Sequence, residues 1–151
     1  MKGLTKMELE KKVKEVNEIL KNGEPDNITA DKSRGFQMTG YSPQYVVDAM
    51  NKAFGLEGWG FEDIYNKIDK NGKEAVAHVK VWLKTEEGTV ERTAYGSKVM
   101  FEKTSYGDAK KSAQTDGLKK ALSYFSIGNR AYHGKLKVEE KGSFGTDYSN
   151  Y

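Results

Sequence analysis

The side chains best placed for chemistry in this chain of 151 residues are lysines. Ala109-Lys-Lys-Ser-Ala-Gln-Thr-Asp-Gly-Leu-Lys-Lys-Ala-Leu-Ser-Tyr-Phe-Ser-Ile-Gly-Asn129 reads as a helix. In and around it Lys110, Lys111, Lys119, Lys120 and Arg130 face only Asp108 and Asp116. That local excess equals the formal +3 of the whole chain, so the surplus charge gathers in one segment, as on a protein that meets a polyanion. A second group falls on an expected strand, where His78, Lys80, Trp82 and Lys84 share one face. Ammonium groups meet phosphates, and an aromatic plane is worth about 1–3 kcal/mol per stacked base of a single strand. The same pattern also suits a solvated sheet face on which lysine stems cover a half-buried Trp. Lys32 and Arg34 form a third group, in a loop beside Gly35. A planar guanidinium there can clamp a phosphate, although loop cations are common.

Signatures of catalysis are missing. There is neither a Gly-x-x-x-x-Gly-Lys-Ser/Thr loop nor a Gly-x-Gly-x-x-Gly fingerprint. Cysteine is absent, which removes disulfides and thiolates, and two histidines without it argue against structural zinc. A restriction-type nuclease wants an acid two residues before a strand lysine, but His78 stands before Lys80. Glu62-Asp63 and Glu86-Glu87 read as solvated or turn residues. The expectation is a protein that is not an enzyme and uses no cofactor. With 36% hydrophobic and 31% charged residues the composition is globular. No apolar run approaches the ~20 residues of a membrane span, and the N-terminus has no signal-peptide core. A cytoplasmic protein without a membrane partner is expected.

The elements that must position these groups follow from periodicity. Leu9, Val13, Val16 and Leu20 recur at helical spacing, up to Asn22-Gly23. Residues 24–40 are polar and read as a loop, with room for a short strand at Gly35–Thr39. Ser42-Pro43 starts a helix whose stripe is Val46, Val47, Met50 and Phe54, and Gly55 stops it. Three strand-like segments follow, with Trp59, Phe61 and Tyr65 expected on one face. Asn71-Gly72 and Gly88 mark the two turns. Ala75, Ala77, Val79, Val81 and Leu83 alternate along the middle strand and must lie against a helix, for which the long one is the natural candidate. Ser105-x-x-Asp108 resembles a capping box at the start of that helix.

Laid out at ~100° per residue, the helix puts Leu118, Leu122 and Phe125 in the core. Lys119 and Lys120 then flank the opposite face, among Ala109, Ser112, Ala113, Asp116 and Ser123. That face reads either as the floor of a groove or as a solvated helix back with an Asp116–Lys120 pair worth ~0.3–0.5 kcal/mol. Gly117 inside the helix costs about 1 kcal/mol against alanine, which implies a close backbone approach or a bend. The fold class is therefore α+β: an antiparallel three-stranded meander packed on a long helix, with helices before it. Residues 1–23 form an N-terminal amphipathic helix, 24–137 the core domain, and 138–151 a Gly-, Ser- and Tyr-rich tail expected to lack fixed structure.

Gly58-Trp59, Val81-x-Leu83-Lys84 with Gly88, Tyr95-Gly96 and above all Thr115-Asp-Gly-Leu-Lys-Lys-Ala-Leu122 resemble the Rad-fifty-two family of single-strand annealing proteins. Its short members occur in phages (Sak-type) and bacteria (DdrA-type), and the likeness runs from about Tyr41 to Asn129. The resemblance implies rings of subunits that bind single-stranded DNA and anneal complementary strands without ATP, in homologous recombination and repair. In such rings the DNA backbone lies in a basic groove with the bases outward. Lys119 and Lys120 take the place of the paired basic residues of the inner groove, Ser123 standing where eukaryotic members have a further basic residue. Lys110, Lys111, Lys32 and Arg34 are further inner-groove candidates. Lys84 takes the place of an outer-site lysine, with Lys80, Trp82 and Arg130 as its neighbours. Gly117, Asp116, Trp59, Tyr95 and Gly96 are then framework residues. A single-strand-binding protein is a candidate partner, and the chain's end soon after the core fits a compact prokaryotic or phage protein. Other readings of the same residues are a duplex RNA- or DNA-binding module without annealing activity, a nuclease with an unrecognised site, and a purely structural assembly protein.

Overall fold

A computed structural model describes residues 3–22, 28–31 and 38–129. The 138–151 tail, Lys32, Arg34 and Arg130 lie outside the described residues. The order of elements is α1 (Lys6–Lys21), β1 (Ile28–Asp31), β2 (Met38–Tyr41), α2 (Pro43–Phe54), β3 (Trp59–Ile68), β4 (Glu74–Thr85), β5 (Gly88–Val99) and α3 (Tyr106–Ser123). The fold is α+β, as expected, with β3-β4-β5 an antiparallel meander. The polar stretch read as a loop with room for one short strand holds a two-stranded pair, with Ile28 opposite Tyr41 and Asp31 opposite Met38.

Each helix start is set locally. Thr5 and Glu8 form a full capping box on α1, and the hydrogen bonds from Thr5 hold the Glu8 carboxyl below the usual carboxylate range. Pro43 occupies the first turn of α2, but Ser42 caps only by position, since its side chain makes no capping hydrogen bond. At α3 the Ser105 hydroxyl accepts from the Asp108 amide, which is one half of a capping box. The hairpin at Asn71-Gly72 closes with the Gly72 amide donating to Asp69 O, and Gly72 has φ +64°. β4 and β5 join through Glu86-Glu87 alone.

Strict alternation along β4 decides the layers. Ala75, Ala77, Val79, Val81 and Leu83 are fully buried, with α3 packed on β4, and each is small or β-branched except the last. Val16 and Leu20 of α1, Val46, Ala49, Met50 and Ala53 of α2, and Leu118 and Leu122 of α3 complete one core. The Trp59 indole N–H donates to Asn51 Oδ1 at 2.8 Å, which fastens β3 to α2. Asn17 of α1 holds the turn after α3 from both sides: its amide donates to Ser126 O and its carbonyl accepts from Gly128 N.

One expectation fails at β3. Trp59 and Phe61 do share the helix side of the sheet and stack at 5.7 Å. Tyr65 does not join them. The register shifts between Asp63 and Tyr65, so Ile64 is an extra residue and Tyr65 pairs with His78 on the open side. A β-bulge of this kind transfers every later side chain to the other face.

Candidate nucleic-acid interface

α3 approaches β5 more closely than helices usually approach strands. A Cβ on Gly96 would stand 2.1 Å from both Ala113 O and Gly117 N. A Cβ on Gly117 would stand 2.7 Å from Val79 Cγ2. The helical glycine thus marks a close backbone approach, and the partner is β5 of the same chain. Ala109, Ala113 and Ala121, all fully buried, continue this stripe. The small residues expected to floor an open groove are in part the seam on which α3 meets the sheet. A helix seated this deeply lifts its larger side chains to the flanks.

Lys119 and Lys120 leave the seam in different directions, as neighbours ~100° apart on a helix must. Lys119 Nζ donates to the Tyr41 carbonyl at 3.2 Å, at the junction of β2 with α2. Lys120 Nζ lies 3.1 Å from Asp116 Oδ2, one turn earlier on α3. The same Oδ2 accepts the Ser97 amide of β5 at 2.9 Å. One carboxylate therefore fastens the helix to the strand and also holds an ammonium at the surface. Ser123, which stands one turn after Lys119, donates its hydroxyl back to Lys120 O.

Lys110 and Lys111 are exposed on the first half of α3. Nine residues separate each from its counterpart, so they stand about 13 Å along the axis and half a turn round from Lys119 and Lys120. The structure does not bring these four lysines into one cluster. The Lys110 carbonyl accepts from the Asn66 amide, and Gln114 donates to Asp63 Oδ2. Asp63 thus faces α3 and is not the solvated residue its sequence context suggests. Arg92 escaped sequence reasoning. It lies on the helix side of β5 with its guanidinium 4.9 Å above the Phe125 ring, beside the end of α3. The alternation that buries Ala94 and Gly96 is the signal that could have placed it there.

The open side of the sheet is different in character. Lys80 stands 3.1 Å from Glu62 and 3.9 Å from Glu91, and both raise its pKa, the Glu62 hydrogen bond most. Glu62 sits directly opposite Lys80 across the β3–β4 pair, and Glu91 diagonally on β5. The Trp82 indole covers Gly60, where a Cβ would come within 2.2 Å of the ring. One face of that ring is therefore already occupied. Lys84 is half-buried near the end of β4, opposite Thr89, and among the described residues it joins no ion pair. Tyr65, His78 and Tyr95 form an aromatic cluster, with the His78 and Tyr95 rings stacked at 4.2 Å and Tyr65 edge-on to His78. Burial, with Tyr95 beside it, pushes the Tyr65 phenol up. Lys67 Nζ lies 5.0 Å over the Tyr65 ring.

Sequence comparison decides the family. The model of the Rad52/22 family double-strand break repair proteins matches residues 5–147. The chain belongs to this family. No curated protein matches it. The family match spans every described helix and strand, from the start of α1 to beyond α3. Among the described residues of this Rad52/22 member, no three His, Cys, Asp or Glu group to hold a metal ion. None of its described helices is long and apolar enough to cross a membrane.

Proposed function

We propose that this Rad52/22 family protein binds single-stranded DNA and anneals complementary strands without ATP, as a ring of identical subunits and without catalysing a covalent step. The phosphate backbone lies along the second half of α3, against Lys119 and Lys120. The observation that carries this reading is the seating of α3. The Gly96–Gly117 contact sinks the helix into the sheet and leaves the two lysines on its flanks, within a segment where cations outnumber acids. Repetition of one modest cationic site around a ring multiplies a weak grip along a strand, with strong salt dependence and little sequence preference.

The test is an annealing assay on two complementary labelled oligonucleotides without ATP, with the natural protein and a Lys119→Ala/Lys120→Ala variant. Acceleration by the natural protein, lost in a folded variant, is the expected result. A folded natural protein that leaves the spontaneous rate unchanged would overturn the proposal. A variant as active as the natural protein would move the DNA path away from α3.

A further inference from the structure

Asp116 has two duties that its position makes inseparable. Its Oδ2 accepts the Ser97 amide, and through that bond and the neighbouring Gly96–Gly117 contact the carboxylate is fixed between α3 and β5. The same oxygen holds the Lys120 ammonium at 3.1 Å. Both side chains are partly open to solvent, Lys120 at 34% and Asp116 at 26%, so an incoming phosphate can reach the pair. The lysine has a flexible stem and can turn toward a phosphate, whereas the carboxylate cannot follow. A phosphate on Lys120 must then sit close to a fixed negative charge.

We propose that Asp116 is a built-in competitor for the DNA backbone, holding Lys120 when no strand is present and limiting how tightly a strand is gripped. The proposal rests on reading Lys119 and Lys120 as phosphate-binding groups. Its value to annealing is chemical. A protein that brings two strands together must release the duplex, and a carboxylate that reclaims the lysine makes release part of the site. Asp116 acts through Lys120 and is a positioning residue, not a ligand of DNA.

The test is binding of a fluorescent oligo(dT) to the natural protein and to Asp116→Asn, Lys120→Gln and the double variant, over a range of salt, with thermal unfolding of each. The asparagine keeps an acceptor for the Ser97 amide and removes the charge. Asp116→Asn is expected to bind about 3- to 10-fold more tightly at moderate salt, since a nearby like charge is gone. Its log–log salt slope is expected to steepen by a fraction of the ~0.7 that one single-strand phosphate contributes, as Lys120 takes a fuller share of that phosphate. In the Lys120→Gln background the same change brings no such gain. A purely structural Asp116 would lower the unfolding temperature and leave the salt slope alone. If Asp116→Asn folds and binds no more tightly than the natural protein, the inference is overturned while the function stands. If Lys120→Gln binds as the natural protein does, the reading of the α3 lysines fails first. Should Asp116→Asn not fold, the carboxyl carbon-13 resonance of Asp116 in the natural protein decides. It moves on saturation with oligo(dT) if Lys120 departs, and an unmoved resonance overturns the inference.

Discussion

The two sides of the three-stranded sheet carry similar side chains and use them differently. On the open side Lys80 stands between Glu62 and Glu91, which neutralise it where it sits. On the helix side Lys120 has one carboxylate, and that carboxylate also serves a strand amide. Trp82 lies flat over Gly60 on the open side. Arg92 stands over Phe125 beside the end of α3 on the other. A lysine's readiness for a phosphate thus depends on which charges strand register and helix seating place opposite it. The open face is suited to aromatic and apolar contacts, with Tyr95 and Val99 each more than half exposed, while the flank of α3 is suited to anions.

The largest effect should come from disturbing the seam that creates this difference. Gly96→Ala pushes a methyl group into the α3 backbone, and about 3 kcal/mol or more of stability should go, a tight core refusing added volume. Gly117→Ala meets the side chain of Val79 and should cost less. Thermal unfolding of both variants checks the order, and a Gly96→Ala protein as stable as the natural one would mean that α3 is not seated here.

Next in size is the contrast between the lysines themselves. Lys120→Ala should weaken oligo(dT) binding and flatten the salt slope by up to about 0.7, the whole share of one phosphate. Lys80→Gln should leave both unchanged, because Lys80 already has its anions. Equal losses in the two variants would erase the distinction between the faces.

The smallest effect concerns pH. Lys80 has its pKa raised above the ordinary 10.5, chiefly by the Glu62 hydrogen bond. A raised folded value means that its contribution to stability is complete below 10.5 and is lost as pH climbs through the folded value. The unfolding temperatures of the natural protein and Lys80→Gln should therefore differ by a small constant amount from neutral pH to 10.5 and converge as pH climbs above it. Convergence already between neutral pH and 10.5 would show that the pair with Glu62 does not persist in solution.

Much of this architecture was legible along the chain. Strict alternation from Ala75 to Leu83 announced a strand with one buried face, and Asn71-Gly72 announced the turn before it. Gly117, costly in a helix, announced a close approach, and the Thr115-Asp-Gly-Leu core announced the family. What escaped has a common cause. The extra residue Ile64 leaves no mark in local composition, yet it sends Tyr65 to the side opposite Phe61. The β1–β2 pair rests on hydrogen bonds between two short segments within a polar stretch, where the side-chain pattern is weak. The candidate lysines looked alike because their counter-ions lie elsewhere in the sequence, except for Asp116, one turn before Lys120.

The sequence by itself determined the three helices and the three strands of the meander, their order, the buried face of β4 and the segment where positive charge collects. These depend on periods of two and 3.6 residues and on neighbours within a turn, all of which are local. The tertiary structure alone decided that α3 lies on Gly96, that Lys80 is neutralised from two strands, and that Asp116 joins Ser97 while holding Lys120. Each of these depends on residues brought together across strand register or helix packing, and the distance between two such groups is set only when the chain has folded.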